Sequence, residues 1–210
     1  MWSLPLRVGL ATSLVALSLL SEARSKDRKV AGMQKIVVAV FNRAGVPAKT
    51  VVRAEAIAAK IYEAAGLVIV WKNCSTEEEP NPKQCGAGNS QVEIVLSIEH
   101  QGQIGTADVY GVAFLGEDGR GKFCQVFYDR ILELHNKGRA SDETILGIVA
   151  AHELGHLLFG PGAHSDNGIM RAQIQSQNFL TPAFGFHLTP QQLQKIRERQ
   201  QTISDVKEKQ

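Results

Sequence analysis

His152-Glu153-Leu154-Gly155-His156-Leu157-Leu158-Phe159-Gly160-Pro161-Gly162-Ala163-His164-Ser165-Asp166-Asn167-Gly168-Ile169-Met170 is the stretch on which the fold of this chain turns. Its first five residues have the form H-E-x-x-H. On a helix, residues four apart share a face, so the imidazoles of His152 and His156 can be aimed at one metal ion. Glu153 stands beside the first of them, where its carboxylate can reach a metal-bound water without being a ligand. Those parts suit a zinc hydrolase.

The flanking residues supply what such a site needs. Residues 141–159 read as one helix, with Ser141 as N-cap and Asp142 and Glu143 placing negative charge in the first turn. Ile145, Ile148, Val149, Leu154, Leu157 and Leu158 provide its packing residues. Gly160 followed by Pro161 is a stop signal, because Gly accepts the left-handed cap and Pro cannot continue the helix. The chain can then fold back to offer a third ligand. Catalytic zinc takes three protein ligands and keeps a position for water. His164, just past the Gly-Pro-Gly turn, is the first choice. Asp166 is the alternative, and Glu198 on the last helix is a weaker one. His100, His135 and His187 are assigned to surface or packing roles. A buried helix whose two His residues merely hydrogen-bond within the core would leave Glu153, His164 and the turn unexplained.

The segment HELGHLLFGPGAHSDNGIM resembles the metzincin clan of zinc metallopeptidases, which carries an extended H-E-x-x-H-x-x-G-x-x-H and a downstream Met-turn. The resemblance implies His152, His156 and His164 as zinc ligands and Glu153 as general base. It also implies Met170 as the apolar floor beneath the metal. Gly160 comes one residue later than the clan's Gly, and His164 two later than its third His. The loop after the helix is therefore longer, which points to a bacterial branch apart from the well-known metzincin families. Some metzincins add a Tyr beyond the Met-turn, but this chain has no Tyr after Tyr128.

At 210 residues the chain has room for one domain with a substantial core. Arg7, the apolar run 8–20 and Ser21-Glu22-Ala23 read as a signal peptide over residues 1–23, too short in its apolar part for a membrane span. Residues 24–210 then form a single catalytic domain, divided near residue 160 into an N-terminal and a C-terminal subdomain (161–210). Residues 24–33 leave no room for an inhibitory pro-domain before the first strand. The formal net charge is +2, and it stays +2 when Arg7 and Glu22 leave together. So small a charge predicts neither nucleic-acid binding nor strong membrane attraction. A secreted or periplasmic monomer is expected. The three Cys residues suit export. Cys74 and Cys85 bracket an acidic, Pro-containing loop and form the favoured disulfide, leaving Cys124 buried at a strand start, although the other two pairings remain open.

The β-branched runs 34–41, 67–72 and 92–98, with 111–115 and 123–128, predict five strands. The Ala-rich stretch 48–65 carries Val51, Ala54, Ile57, Ala58 and Ile61 at helical spacing. A β-α-β opening favours a parallel pair with a right-handed crossover. The expected class is α+β or α/β: a mixed, twisted five-stranded sheet with a backing helix, an active-site helix and a C-terminal helix. That order of elements is similar to the metzincin (zincin) fold. Thr189 and Pro190 open the last helix as N-cap and first residue over 190–203, with Leu193 and Ile196 docking it. Phe179, Leu180, Phe184 and Phe186 are read as core, or as the wall of a specificity pocket. Residues 110–114 are either an ordinary edge strand or, as the resemblance implies, a strand that binds extended substrate by β-augmentation.

The expected activity is zinc-dependent endopeptidase cleavage of protein or peptide substrates, with Zn2+ as cofactor. The alternative is a catalytically inactive zinc- or peptide-binding module on the same fold. Retention of Glu153, which matters to chemistry and hardly to metal affinity, favours the enzyme.

Overall fold

Val38, Ala39 and Val40 are buried in succession along one strand, the mark of a strand covered on both faces and both edges. That strand, β1 (Gln34–Asn42), pairs in parallel with β2 (Leu67–Asn73) on one side and with β3 (Ile94–Glu99) on the other. The parallel strand β5 (Phe123–Phe127) follows, and β4 (Gly111–Phe114) lies antiparallel at the edge, giving the order β2-β1-β3-β5-β4. In this computed structural model the described residues are 34–74, 85, 92–101, 109–138, 140–172 and 186–207, with side chains to 198. The expected signal peptide lies outside them, as do Phe179, Leu180 and Phe184.

The helices are α1 (Ala48–Glu63), α2 (Tyr128–Asn136), α3 (Asp142–Phe159) and α4 (Pro190–Lys207). The mixed five-stranded sheet and the backing, site and C-terminal helices match the expected class. Helix α2 does not: the pattern runs from the fifth strand directly to the site helix. Its apolar residues Tyr128, Ile131 and Leu134 are buried at i, i+3 and i+6, and no turn residue separates them from β5. Tyr128 therefore begins a helix instead of ending a strand. Its hydroxyl donates to Asp142 Oδ2 at 2.7 Å, joining the starts of α2 and α3.

Helix α1 crosses α3 closely because Gly147 has no side chain. A Cβ there would stand 2.6 Å from the Ala54 carbonyl oxygen and 2.9 Å from Ile57 Cβ. One turn further along α3, the buried Tyr62 hydroxyl donates to the Ala151 carbonyl at 2.6 Å. The buried residues of α1 are Val51, Ala54, Glu55, Ala58 and Tyr62, so a charged residue occupies part of the expected apolar stripe.

Burial raises the Glu55 carboxyl to a pKa of about 7, against a smaller opposing effect from the Asn73 amide, which donates to Oε2 at 3.4 Å. Its Oε1 is buried without a partner among the described residues. Below about pH 4.5 both folded and unfolded chains hold this proton and the group is neutral in its effect. Between that pH and about 7 the unfolded chain ionises first, so stability falls as pH rises, and above about 7 the whole penalty is present. Glu55→Gln should therefore stabilise the protein by about 1–2 kcal/mol at pH 8, a figure discounted for partial solvent screening, and by almost nothing at pH 4. Denaturant titrations of both proteins at the two pH values check this.

Cys74 and Cys85 form the expected disulfide, while Cys124 is free and buried in β5. A disulfide suits an oxidising compartment. None of the described helices is long and apolar enough to cross a membrane.

Candidate metal centre

Helix α3 is buried almost all round, from Ile145 through Gly155 and again at Leu157 and Phe159. A helix with so narrow a polar face is held by what surrounds it rather than by its own propensity. Ser141 occupies the N-cap position, but its hydroxyl faces Thr144 Oγ1 at 2.9 Å instead of capping a backbone N–H. Asp142 and Glu143 put their charge in the first turn, as expected. The helix stops at Gly160, whose φ of 73° lies in the left-handed region and whose N–H returns to the His156 carbonyl at 3.0 Å.

Near that end three imidazoles converge. One ring nitrogen from each of His152, His156 and His164 lies within 4.8 Å of the others, the one such cluster of His, Cys, Asp or Glu groups among the described residues. The Nε2 atoms of His152 and His156 are 3.1 Å apart, close to the roughly 3.3 Å between ligands on a tetrahedral zinc with bonds of about 2.0–2.1 Å. His152 Nδ1 lies 2.8 Å from the Ile169 carbonyl, which can only accept, so Nδ1 carries the proton and Nε2 is left with its lone pair toward the cluster. Burial pushes His152 below the usual imidazole range, and burial with the neighbouring His152 and His164 brings His156 down to about 4. Both rings are thus neutral at pH 7, the form that binds metal. Three imidazoles, with the lone pair of His152 Nε2 toward the others, are a donor set that fits zinc.

Asp166 and Glu198 are not in the cluster. Asp166 instead offers its backbone carbonyl to Arg171 Nε at 3.1 Å. His100 faces Asp129 at 3.3 Å, His135 Nδ1 lies 2.9 Å from the Ala140 carbonyl, and the His187 carbonyl accepts from Ile169 N–H at 2.9 Å. All three are exposed and lie outside the cluster.

Glu153 is buried, and loss of hydration raises its carboxyl to about 8 in the metal-free protein. The edge strand reaches it directly. A Cβ on Gly111 would lie 2.7 Å from Glu153 Cγ and 2.8 Å from its Oε1, so only a glycine lets β4 start against this carboxyl. The entry to β4 is pinned from behind, since the Tyr110 carbonyl accepts from Phe127 N–H at 2.8 Å and the Val109 carbonyl from the Arg130 guanidinium. Met170 is fully buried, and its Sδ would stand 2.2 Å from a Cβ on Gly155, the chain neighbour of His156. Sequence patterns alone do not reveal the contact between Gly111 and Glu153, because a lone Gly at a strand start has many possible causes.

No protein-family model matches the chain, and no curated protein matches it. Among solved structures it is similar to the archaemetzincin of Methanopyrus kandleri, with 17% identity and a TM-score of 0.50 over 80% of this chain and 96% of that one. Metalloproteinase-II from Bacteroides fragilis is matched at 14% identity and a TM-score of 0.49, over 80% of this chain and 53% of that one, so the chain spans about half that protein's length. At such identities the likeness to the archaemetzincin is one of fold. The architecture is like that of the archaemetzincin, and it carries a three-His cluster that could hold a metal ion.

Proposed function

We propose that the protein is an exported zinc endopeptidase, acting as a monomer on protein or peptide chains. In this reading His152, His156 and His164 are the zinc ligands and Glu153 is the general base. The observation that carries it is the convergence of three imidazoles beside a buried carboxyl on which an edge strand rests. The absence of Asp166 from the cluster favours His164 as third ligand. Export would remove residues 1–23, leaving a catalytic domain of 24–210 that divides near residue 160.

Zinc bound there would polarise the scissile carbonyl and bring the pKa of a water down to about 7. Beside a bound dication the Glu153 carboxyl favours its ionised form, since opposite charge offsets the burial that otherwise keeps it protonated. Glu153 then takes the proton of the attacking water and passes it to the leaving amine. The outer edge of β4 suits an extended substrate added as a further strand, which would lie along the carboxyl at Gly111. Ile169, through its carbonyl, holds the His152 ring in its ligand tautomer.

Purified protein with stoichiometric zinc should cleave a denatured protein substrate. A chelator should abolish cleavage and added zinc should restore it. Cleavage that survives complete removal of the metal would overturn the reading.

A further inference from the structure

We infer that Gln192, near the start of α4, is a positioning residue for the third imidazole. The inference rests on the reading of His164 as a metal ligand and adds what holds that ligand in place. His152 and His156 are fixed by a buried helix, but His164 is exposed on the loop that follows the Gly160-Pro161-Gly162 turn. Neither a helix nor a strand sets its direction. Its precision has to come from the residues on either side.

Gln192 grips both of them. Its Nε2 donates to Ser165 Oγ at 3.1 Å and to the Ala163 carbonyl at 3.4 Å. These are the two chain neighbours of His164. The amide oxygen accepts from Thr189 N–H at 2.8 Å, and the Gln192 N–H donates to Thr189 Oγ1 at 3.4 Å. Thr189 and Gln192 thus form a reciprocal capping box, which fixes the carboxamide at the helix start. The side chain is buried, and both of its N–H donors and its oxygen are used. Ser165 extends the grip: its N–H donates to the Met170 carbonyl at 2.9 Å and its hydroxyl to the Asn167 carbonyl at 2.7 Å. A ligand already ordered before the metal arrives binds it more tightly than one that must be ordered by it. Outer partners of metal ligands commonly account for roughly 10–100-fold in affinity.

The test is zinc affinity, measured by competition with a chelator of known strength and independent of any peptidase assay. Gln192→Met keeps the length of the side chain and removes its hydrogen bonds. It should bind zinc roughly 10–100-fold more weakly. Thr189→Ala breaks the helix cap while leaving the loop contacts of Gln192, and it should stay within about twofold of the parent if loop positioning is what matters. Wild-type affinity in Gln192→Met, or equal weakening in both variants, would overturn the positioning role. If Gln192→Met does not fold, Ser165→Ala removes the loop's side of the shorter contact, and wild-type affinity there overturns it too. His164→Ala is measured alongside. If it keeps zinc, the ligand assignment falls and the positioning role with it. If it loses zinc while Gln192→Met does not, only the positioning role falls.

Discussion

Glu153→Gln should keep its zinc and lose activity by roughly 10²–10⁴-fold in kcat/KM, the usual share of a positioned general base. The substitution is nearly isosteric, which matters because Gly111 packs against Glu153 Cγ and Oε1 and leaves no slack. It also leaves the three imidazoles untouched. In the metal-free protein the buried carboxyl holds its proton up to about pH 8, so at pH 7 one neutral side chain replaces another and stability should barely change. Zinc content by elemental analysis and cleavage of a denatured substrate check both halves. Unchanged cleavage would sink the mechanism. Loss of zinc would instead make Glu153 part of the metal's support.

Gly168→Ala should destabilise the protein by about 2–5 kcal/mol. Two costs combine. Gly168 has φ +77°, a left-handed conformation that costs an L-residue roughly 1–2 kcal/mol. A Cβ there would also stand 2.3 Å from the His187 carbonyl oxygen, a backbone atom that cannot swing aside as a long side chain could. Overpacking of this kind costs about 1–3 kcal/mol more. The damage would not stop at stability. His187 O is also the acceptor for Ile169 N–H, and Ile169 O in turn orients His152. Zinc affinity should therefore fall together with the unfolding midpoint, measured by chelator competition and denaturant titration. Wild-type zinc affinity in a destabilised Gly168→Ala protein would show that the turn supports the fold without aiming the ligand.

Much of this architecture is written in short-range signals. The bounds of α3 follow from Ser141, Asp142 and Glu143 at one end and Gly160-Pro161 at the other, and the β-branched runs of β1 and β2 are equally plain. Cys74 and Cys85 are close in sequence, so the loop they close could be named in advance. What escaped is long-range or against type. Tyr128 continues an apolar run and looks like strand, yet it starts α2 because Ile131 and Leu134 repeat at helical spacing. Glu55 carries a charge that ordinarily stays in water, and its burial follows from how α1 packs, not from its own neighbours in sequence. Thr189-Pro190-Gln191-Gln192 does carry a capping-box signature, S/T-x-x-E/Q. Its grip on the loop lies 27 and 29 residues away, and only the fold brings those ends together. The three His residues of the cluster were legible as a set because two share a helix face and the third follows its stop signal.

The burial of α3 on nearly every side has a kinetic consequence. An isolated helix with so little polar surface gains nothing from water and is not stable alone. It must wait for a sheet in which three of the four pairings are parallel, contacts that close late and slowly. A form without that sheet lacks the surroundings that bury the helix carrying His152 and His156. A metal that recognises only the finished arrangement leaves the rate of folding to the sheet and slows the return journey. A metal held by these three imidazoles would govern how long the native state lasts rather than how soon it forms.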